Sequence, residues 1–591
     1  MRCIKKIFTA VLYCFKMSWK ASKYYTIVRM LQQLIEPLLG IGLSCLGKYI
    51  IDFFVESKVT YSGQIIAAVI FASIINVIIR LEAKIIGYSY EIHYEMLQKE
   101  AQMSIMKKYL QADLQAFDDP EFRDCMEVLQ QDIESMINIL WNTMRMISGL
   151  ISLVVSLYIV SEIGAAYILL IFIMCMPSIL LNKYYVKQLY DIFNKTAKEE
   201  RLSNYFYNLA CEKVYALQTR LYGLNKIILD KFSFFWTKKF FIKKNEMKKL
   251  TIISAALEAI PYICIGFIML IVVKDIIEGN KSIGDYTLYS TLLIQFLSQT
   301  NIAFEAVLEI YSDYLHIFNV RRIQKTDEKV VKDGQIEINE INEIVFDNVS
   351  FSYPGTQIKV LENLSFKIGP NEKVALIGTN GSGKSTIIKL LLRFYNIDSG
   401  TILINNIPIE KILIKSLRAS FSVYFQGEPN FVMSMKENVT LSSRHKENYT
   451  NNDLLKLLED CGGNDIIEKI NNDLETVYSK EYYDDGVEFS GGQKQKLSVA
   501  RTFFKDASVY VLDEPSSALD PEAEYKLLCA MKKYSSGKIT IFVSHRMSNM
   551  RLADKILLIE DGRKIAFGSH KELLMNSERY KQLYEFQTKE I

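Results

Sequence analysis

Gly378-Thr379-Asn380-Gly381-Ser382-Gly383-Lys384-Ser385 follows the apolar run Lys373-Val374-Ala375-Leu376-Ile377 and precedes Thr386-Ile387-Ile388-Lys389-Leu390-Leu391-Leu392. The first run reads as a buried strand and the second as a helix. Between them the glycines let the backbone bend until its N–H groups converge on an anion, and the helix presents its positive end to the same point. In that setting Lys384 reaches the β- and γ-phosphates of a nucleoside triphosphate, and the Ser385 hydroxyl is a ligand for Mg²⁺. Gly378, Thr379, Asn380, Gly381, Ser382, Gly383 and Thr386 complete the candidate phosphate site.

Downstream residues fit the same chemistry. Ser508-Val509-Tyr510-Val511-Leu512 reads as a buried strand that ends in Asp513-Glu514. Two acids at the carboxyl end of a parallel strand suit a Mg²⁺ ligand, Asp513, followed by a base that orients attacking water, Glu514. The run Ile539 to Val543 repeats this layout, with Ser544-His545 at its end, so His545 is a candidate contact to a γ-phosphate. Phe489-Ser490-Gly491-Gly492-Gln493 precedes an expected helix from Lys494 to Phe504. Its serine and glycine N–H groups make a second anion site, one more than a single nucleotide needs from one chain.

The chain has 591 residues, half of them hydrophobic, and a net charge of +3. It is too long for one core and too apolar for an ordinary soluble protein, and its charge suggests no nucleic-acid surface. Nine cysteines occur without a C-x-x-C pair, so they read as reduced small hydrophobes and not as a disulfide or zinc framework.

Residues 1–23 read as an amphipathic helix on the cytoplasmic leaflet. From residue 24 to 323 six apolar runs have membrane-spanning length: about Ile27 to Val55, Gln64 to Ile86, Met136 to Val160, Ala165 to Val186, Leu250 to Val273 and Tyr286 to Leu308. Connections after the first, third and fifth are short. Those after the second and fourth are long, polar and helix-periodic, and the second of them is rich in lysine, which makes them cytoplasmic. Each is expected to break once, near 113–122, where Pro120 forbids a continuous helix, and near 208–218. Residues 324–343 are a charged linker, and 344–591 form the domain that carries the phosphate cradle.

Charges near the spans are candidates for a cavity: Glu36 beside Pro37, Arg80, Arg145, Glu258 before Pro261, and Glu305 with Glu309 one turn apart. Their excess of carboxylates favours a cationic or zwitterionic cargo.

Gln426 in Tyr424-Phe425-Gln426-Gly427, the cradle, Phe489 to Gln493, Asp513-Glu514, Ser517-Ala518-Leu519-Asp520 and His545 stand in an order and spacing that resembles the nucleotide-binding domain of ABC transporters. The six-span region resembles the exporter type, in which membrane and ATPase domains are fused. The resemblance implies a membrane α-helical bundle with long cytoplasmic extensions, plus an α/β P-loop ATPase domain. It also implies ATP and Mg²⁺ as ligands, and a head-to-tail dimer in which Ser490, Gly491, Gly492, Gln493 and Asp520 of one half close over the cradle of the other. Tyr353 would stack on adenine, Gln426 would couple the Mg²⁺ site to the membrane helices, Asp513 would hold Mg²⁺, Glu514 would be the base, and His545 would hold the γ-phosphate. The two helix breaks would be coupling helices.

Phe489 stands where the family usually has Leu, and Glu481 to Gly486 lacks the Gly-Glu-Arg-Gly pattern of many multidrug members, which leans towards peptide exporters. The expected protein is an ATP-driven exporter in the bacterial plasma membrane that pairs with a second half-transporter, an identical copy in the favoured case and a different chain in the other. Lipid and drug cargo stay open, as does an ATP-gated channel or regulatory protein. No fused peptide-processing protease is expected, because the first histidine is His93.

Overall fold

The computed structural model describes residues 2–56, 62–118, 122, 129–160, 165–325, 333–356, 358–443, 448–517, 519–544 and 547–588. It divides into a membrane unit, residues 1–111 and 124–327, and an ATPase unit, residues 112–123 and 328–591.

The described residues of the membrane unit are mainly helical: α1 (Arg2–Ala21), α2 (Lys23–Glu56), α3 (Ser62–Gln111), α4 (Leu129–Val160), α5 (Ala165–Cys211), α6 (Ala216–Leu221), α7 (Asn225–Ile277) and α8 (Ile283–Lys325). Each expected apolar run falls within one of the long helices. Lys23–Val55, Ile133–Tyr158 and Asn225–Ile277 are apolar and long enough to cross a bilayer by themselves. The 50 residues of α3 extend about 75 Å at 1.5 Å per residue, more than twice a hydrocarbon core of about 30 Å. The polar half of that rod therefore projects into water.

Packing pairs α4 with α8 and α5 with α7. Lys238 and Lys239 of α7 reach Glu199 and Glu200 of α5, each at 2.7 Å, which fixes the register of the two polar extensions. The helix α1 is amphipathic in two directions. Ala10, Cys14 and Met17 are buried with Leu97 and Ala101 of α3 and with Ile137 and Leu140 of α4, while Phe8, Leu12 and Trp19 stay exposed. Part of the apolar surface of this helix, expected to lie on the leaflet, thus meets protein.

The second helix break lies later than expected. α5 runs on to Cys211, Glu212 is extended, a 3₁₀ turn spans Lys213–Tyr215, and α6 ends before Gly223 at φ +61°. Gly223 tolerates that left-handed conformation and stops the helix, so the interruption occupies 212–224 and not 208–218. At the first break a 3₁₀ turn spans Leu114–Asp118 and belongs to the ATPase unit. Pro120, expected to force this break, lies outside the described residues.

The described residues of the ATPase unit form two sheets. An antiparallel sheet has the order β2-β1-β4-β5, from β1 (Ile344–Ser352), β2 (Lys359–Ile368), β4 (Ser399–Ile404) and β5 (Ile407–Pro408). The larger sheet has the order β10-β9-β3-β8-β7-β6, from β3 (Lys373–Gly378), β6 (Phe421–Tyr424), β7 (Val509–Asp513), β8 (Ile539–Val543), β9 (Lys555–Glu560) and β10 (Arg563–Gly568). All its pairings are parallel except β10 on β9. Alternate residues of β3 enter two different cores, Ala375 and Ile377 on one face and Val374 and Leu376 on the other. A parallel strand covered on both faces must be apolar at every position, and the Val374–Ile377 run is.

Nucleotide cleft and membrane cavity

β3 ends at Gly378, where a Cβ would stand 2.1 Å from the Ile559 carbonyl oxygen, so only glycine lets the chain turn there. Gly383, at φ +101°, passes the backbone into the helix Lys384–Leu391, and a Cβ on it would stand 2.6 Å from Leu361 Cδ2. The Lys384 side chain folds back and its ammonium donates to the carbonyls of Gly378 at 2.9 Å and Thr379 at 2.8 Å. Burial pushes its pKa down, and the charges of Glu514 and Asp513 oppose that. Ser382 is buried, and its Oγ has no hydrogen-bond partner among the described residues.

Parallel pairing brings the ends of β6, β7 and β8 to the same edge as that of β3. Asp513, the last residue of β7, accepts a 2.8 Å hydrogen bond from Ser385 Oγ. Glu514 follows at φ +52°, a left-handed conformation that turns its side chain off the strand line. Its carboxylate accepts a 2.7 Å bond from Gln426 Nε2, and its carbonyl accepts from Gln495 Nε2 at 3.3 Å. A cleft of about 660 Å³ is lined by Tyr353, Asn380, Lys384, Gln426, Asp513 and Glu514, with Gly381, Gly383, Ser385 and Thr386 along its floor.

Tyr353 closes one end. Its hydroxyl lies 3.0 Å from Thr386 Oγ1, and its ring stands edge-on to Tyr395 at 5.2 Å with the Lys389 ammonium 5.4 Å from its centroid. Neither Tyr395 nor Lys389 stood out in the sequence, because neither belongs to a motif. The hydroxyl of Tyr395 donates a 2.6 Å bond to Asp118 in the 3₁₀ turn Leu114–Asp118.

Ser490, Gly491, Gly492, Gln493 and Asp520 do not line this cleft. The helix expected from Lys494 to Phe504, opened by Phe489 to Gln493, starts at Gly491, because Ser490 and Gln493 form a reciprocal cap. Ser490 Oγ accepts from the Gln493 N–H at 3.3 Å, and Gln493 Oε1 accepts from the Ser490 N–H at 3.0 Å. Asp520 caps the helix Pro521–Tyr534 through the Ala523 N–H at 2.8 Å, and this bond holds its carboxyl below the usual range. Phe489 is buried and stacks on Tyr478 at 5.9 Å. His545 lies outside the described residues.

In the membrane unit a second cavity, of about 480 Å³, brings together Arg145 and Glu309 from the expected set with Arg29, Tyr90, Trp141 and Asp313. Arg145 and Glu309 are 3.6 Å apart. Arg80 and Glu258 are exposed and do not line it; Glu258 accepts from Ser254 at 2.9 Å. Glu305 is exposed and does not line it either, and the side chain of Glu36 lies outside the described residues.

A helical bundle with membrane spans, joined to a parallel-sheet unit whose strand ends converge on a glycine cradle, defines a membrane-bound P-loop ATPase. The family model of the ABC transporter transmembrane region matches residues 23–300, and that described as ABC transporter matches 361–517, together about three quarters of the chain. The chain belongs to the ABC transporter family, as an exporter-type half-transporter.

Among its relatives is the subtilin transport ATP-binding protein SpaT of Bacillus subtilis, 28% identical over 507 residues, which are 85% of this chain and 80% of that one. The nisin transport ATP-binding protein NisT of Lactococcus lactis subsp. lactis is 27% identical over 94% of this chain and 89% of its own. An ATP-dependent lipid A-core flippase of Haemophilus ducreyi is 31% identical, over 57% of this chain and 56% of its own. The structure of a bacterial Atm1-family ABC exporter with ATP bound superposes with a TM-score of 0.79 over 96% of this chain and 99% of that one, at 18% identity, a likeness of fold. The protein is thus an integral membrane ATPase that couples ATP hydrolysis to export, with its ATPase domain on the cytoplasmic side.

Proposed function

We propose that this chain exports a peptide, working as a homodimer whose two ATP sites are each completed by the partner copy. The observation that carries the ATPase part is the meeting of Lys384, Ser385, Gln426, Asp513 and Glu514 in one cleft. Lys384 binds the β- and γ-phosphates and Tyr353 stacks on the base. Glu514 orients the attacking water and takes its proton, with Gln426 holding the carboxylate in place. His545 holds the γ-phosphate.

The hydroxyl of Ser385 and the carboxylate of Asp513, 2.8 Å apart, are hard oxygen donors of the kind Mg²⁺ selects, and Gln426 is the third candidate ligand. When bound, Mg²⁺ neutralises charge on the β- and γ-phosphates.

The capping geometry at Ser490 supports the dimer reading. Ser490 and the start of the helix Gly491–Phe504 are exposed and lie outside the cleft of their own chain, which supports a γ-phosphate held by the partner as the anion they meet. Asp520 completes that edge. Closure of the dimer reaches the membrane helices through the segments 114–118 and 212–224, and the bundle turns from inward- to outward-facing.

Peptide cargo is supported by the relatives matched over most of their length, SpaT and NisT, whose names record subtilin and nisin transport. Lipid is the second reading, supported by the flippase match at higher identity over a shorter stretch.

The test is ATP turnover by the chain alone in lipid nanodiscs, with Glu514→Gln as control, before and after addition of peptide. Turnover abolished by Glu514→Gln and raised by peptide is the expected result. Turnover indifferent to peptide moves the cargo to lipids or drugs. ATP binding without turnover points to a different partner chain or to a regulatory protein.

A further inference from the structure

The cavity of the membrane unit has a charge pattern that single-residue reading did not reveal. Helical spacing sets Arg29 and Gln33 on one face of α2, Asn138, Trp141, Asn142 and Arg145 on one face of α4, and Glu309 with Asp313 on one face of α8. Among the described lining residues there are two guanidiniums and two carboxylates, in place of the acidic excess expected from the sequence.

The two cations are held differently. The Arg29 guanidinium lies 5.0 Å from the Tyr90 ring centroid and 4.6 Å from that of Trp141, and it donates to Gln32 Oε1 at 3.0 Å. Arg29 and Trp141 are both more than nine-tenths buried, so this charge is oriented by its walls and poorly screened by water. Arg145 pairs with Glu309 at 3.6 Å with about half of each side chain exposed, a loose contact that can be exchanged. Asp313 accepts a 3.3 Å bond from Asn142.

We propose that this cavity recognises a zwitterionic segment of the exported peptide, its acidic group facing Arg29 and its basic group facing Asp313 and Glu309. The assignment rests on the exporter reading and names the chemistry of its cargo site. The amides of Gln33, Asn138 and Asn142 offer both donors and acceptors to a peptide backbone. Tyr90 and Trp141 accept a flat or apolar side chain between the charges. None of the described lining residues is aliphatic, so the described walls suit a polar segment better than an acyl chain. The volume lies in the range of small-ligand sites, enough for a short stretch of chain. Arg29 lies near the start of α2, while Tyr90 and Glu309 lie just beyond the apolar runs of α3 and α8, which puts the cavity at the cytoplasmic ends of the spans, where cargo arrives.

The test uses the whole protein in nanodiscs, titration calorimetry and three peptides, Ac-Glu-Phe-Ala-Lys-NH₂, Ac-Lys-Phe-Ala-Lys-NH₂ and Ac-Glu-Phe-Ala-Glu-NH₂. The neutral peptide is expected to bind about tenfold more tightly than either charged one, and Arg29→Gln and Asp313→Asn each to erase that preference. Asp313→Asn is nearly isosteric and serves if Arg29→Gln loses its cooperative melt. Equal binding of the three peptides, or an unchanged preference in both variants, overturns the proposal. So does displacement of the neutral peptide by an equal concentration of glycerophosphoethanolamine, which would assign the site to a lipid headgroup. Binding is read without turnover, so a protein that hydrolyses ATP but shows no charge preference rejects this site while leaving the exporter reading intact.

Discussion

The side-chain amide of Gln426, just beyond the end of β6, donates a 2.7 Å hydrogen bond to the carboxylate of Glu514, just beyond the end of β7. One residue on the edge of the cleft thus sets the orientation of its candidate base. Glu514→Gln removes the proton acceptor while keeping the shape. ATP hydrolysis should fall by about 10² to 10⁴-fold with ATP binding retained, as measured by turnover and by nucleotide titration in the same nanodiscs.

Ser385 and Asp513 should act as one unit towards the metal. Asp513→Asn weakens both the Ser385 contact and the oxygen donor set. The Mg²⁺ concentration for half-maximal hydrolysis should rise by about tenfold or more, whereas Mg²⁺-free ATP binding should change little. A titration of turnover against free Mg²⁺ checks this.

Gly383→Ala places a side chain at φ +101° and against Leu361. A strained left-handed conformation costs about 1–3 kcal/mol. The melting temperature should drop, and ATP affinity should fall with it because the cradle is displaced. An unchanged melt would mean that the loop relaxes freely.

Arg501, on the helix Gly491–Phe504, ties that helix to the segment after Gln426. It donates to Glu428 at 2.8 Å, to the Asn438 carbonyl at 2.7 Å and to Asn430 Oδ1 at 3.0 Å, and its side chain is only 5% exposed. Arg501→Leu leaves these acceptors without a cation. A loss of about 3–5 kcal/mol in the stability of the ATPase unit is expected, read from chemical denaturation.

Tyr395→Phe keeps the ring that meets Tyr353 and removes the hydroxyl bonded to Asp118. Burial and the Asp118 carboxylate push the phenol pKa up, so the hydroxyl is a donor at every working pH. Loss of a hydrogen bond to a charged group costs about 1.5–3 kcal/mol. Hydrogen exchange in residues 114–118 should accelerate by about tenfold or more, with ATP affinity preserved.

Much of the ATP cleft was legible because its residues follow strand ends. Asp513 closes β7, Gln426 follows β6, and Lys384 follows the turn after β3, so a parallel sheet brings them to one edge by its own geometry. Tyr395, Lys389 and Arg501 were not legible. Each is an ordinary helix or loop residue whose role comes from what packs against it. The helix break expected at 208–218 was misplaced because Gly223 alone marks its end, and an isolated glycine is a weak signal. Ser490 was read as facing an anion, whereas its side chain also starts the helix through the cap with Gln493.

The sequence by itself determined the class of protein: a contiguous glycine cradle needs only local backbone geometry, and apolar runs of spanning length need only the bilayer. Tertiary structure decided which charges share a cavity. Arg29, Arg145, Glu309 and Asp313 lie on three helices, and whether they meet depends on the rotation and register of each helix. Packing along whole helices sets those, so no local pattern of residues could reveal them.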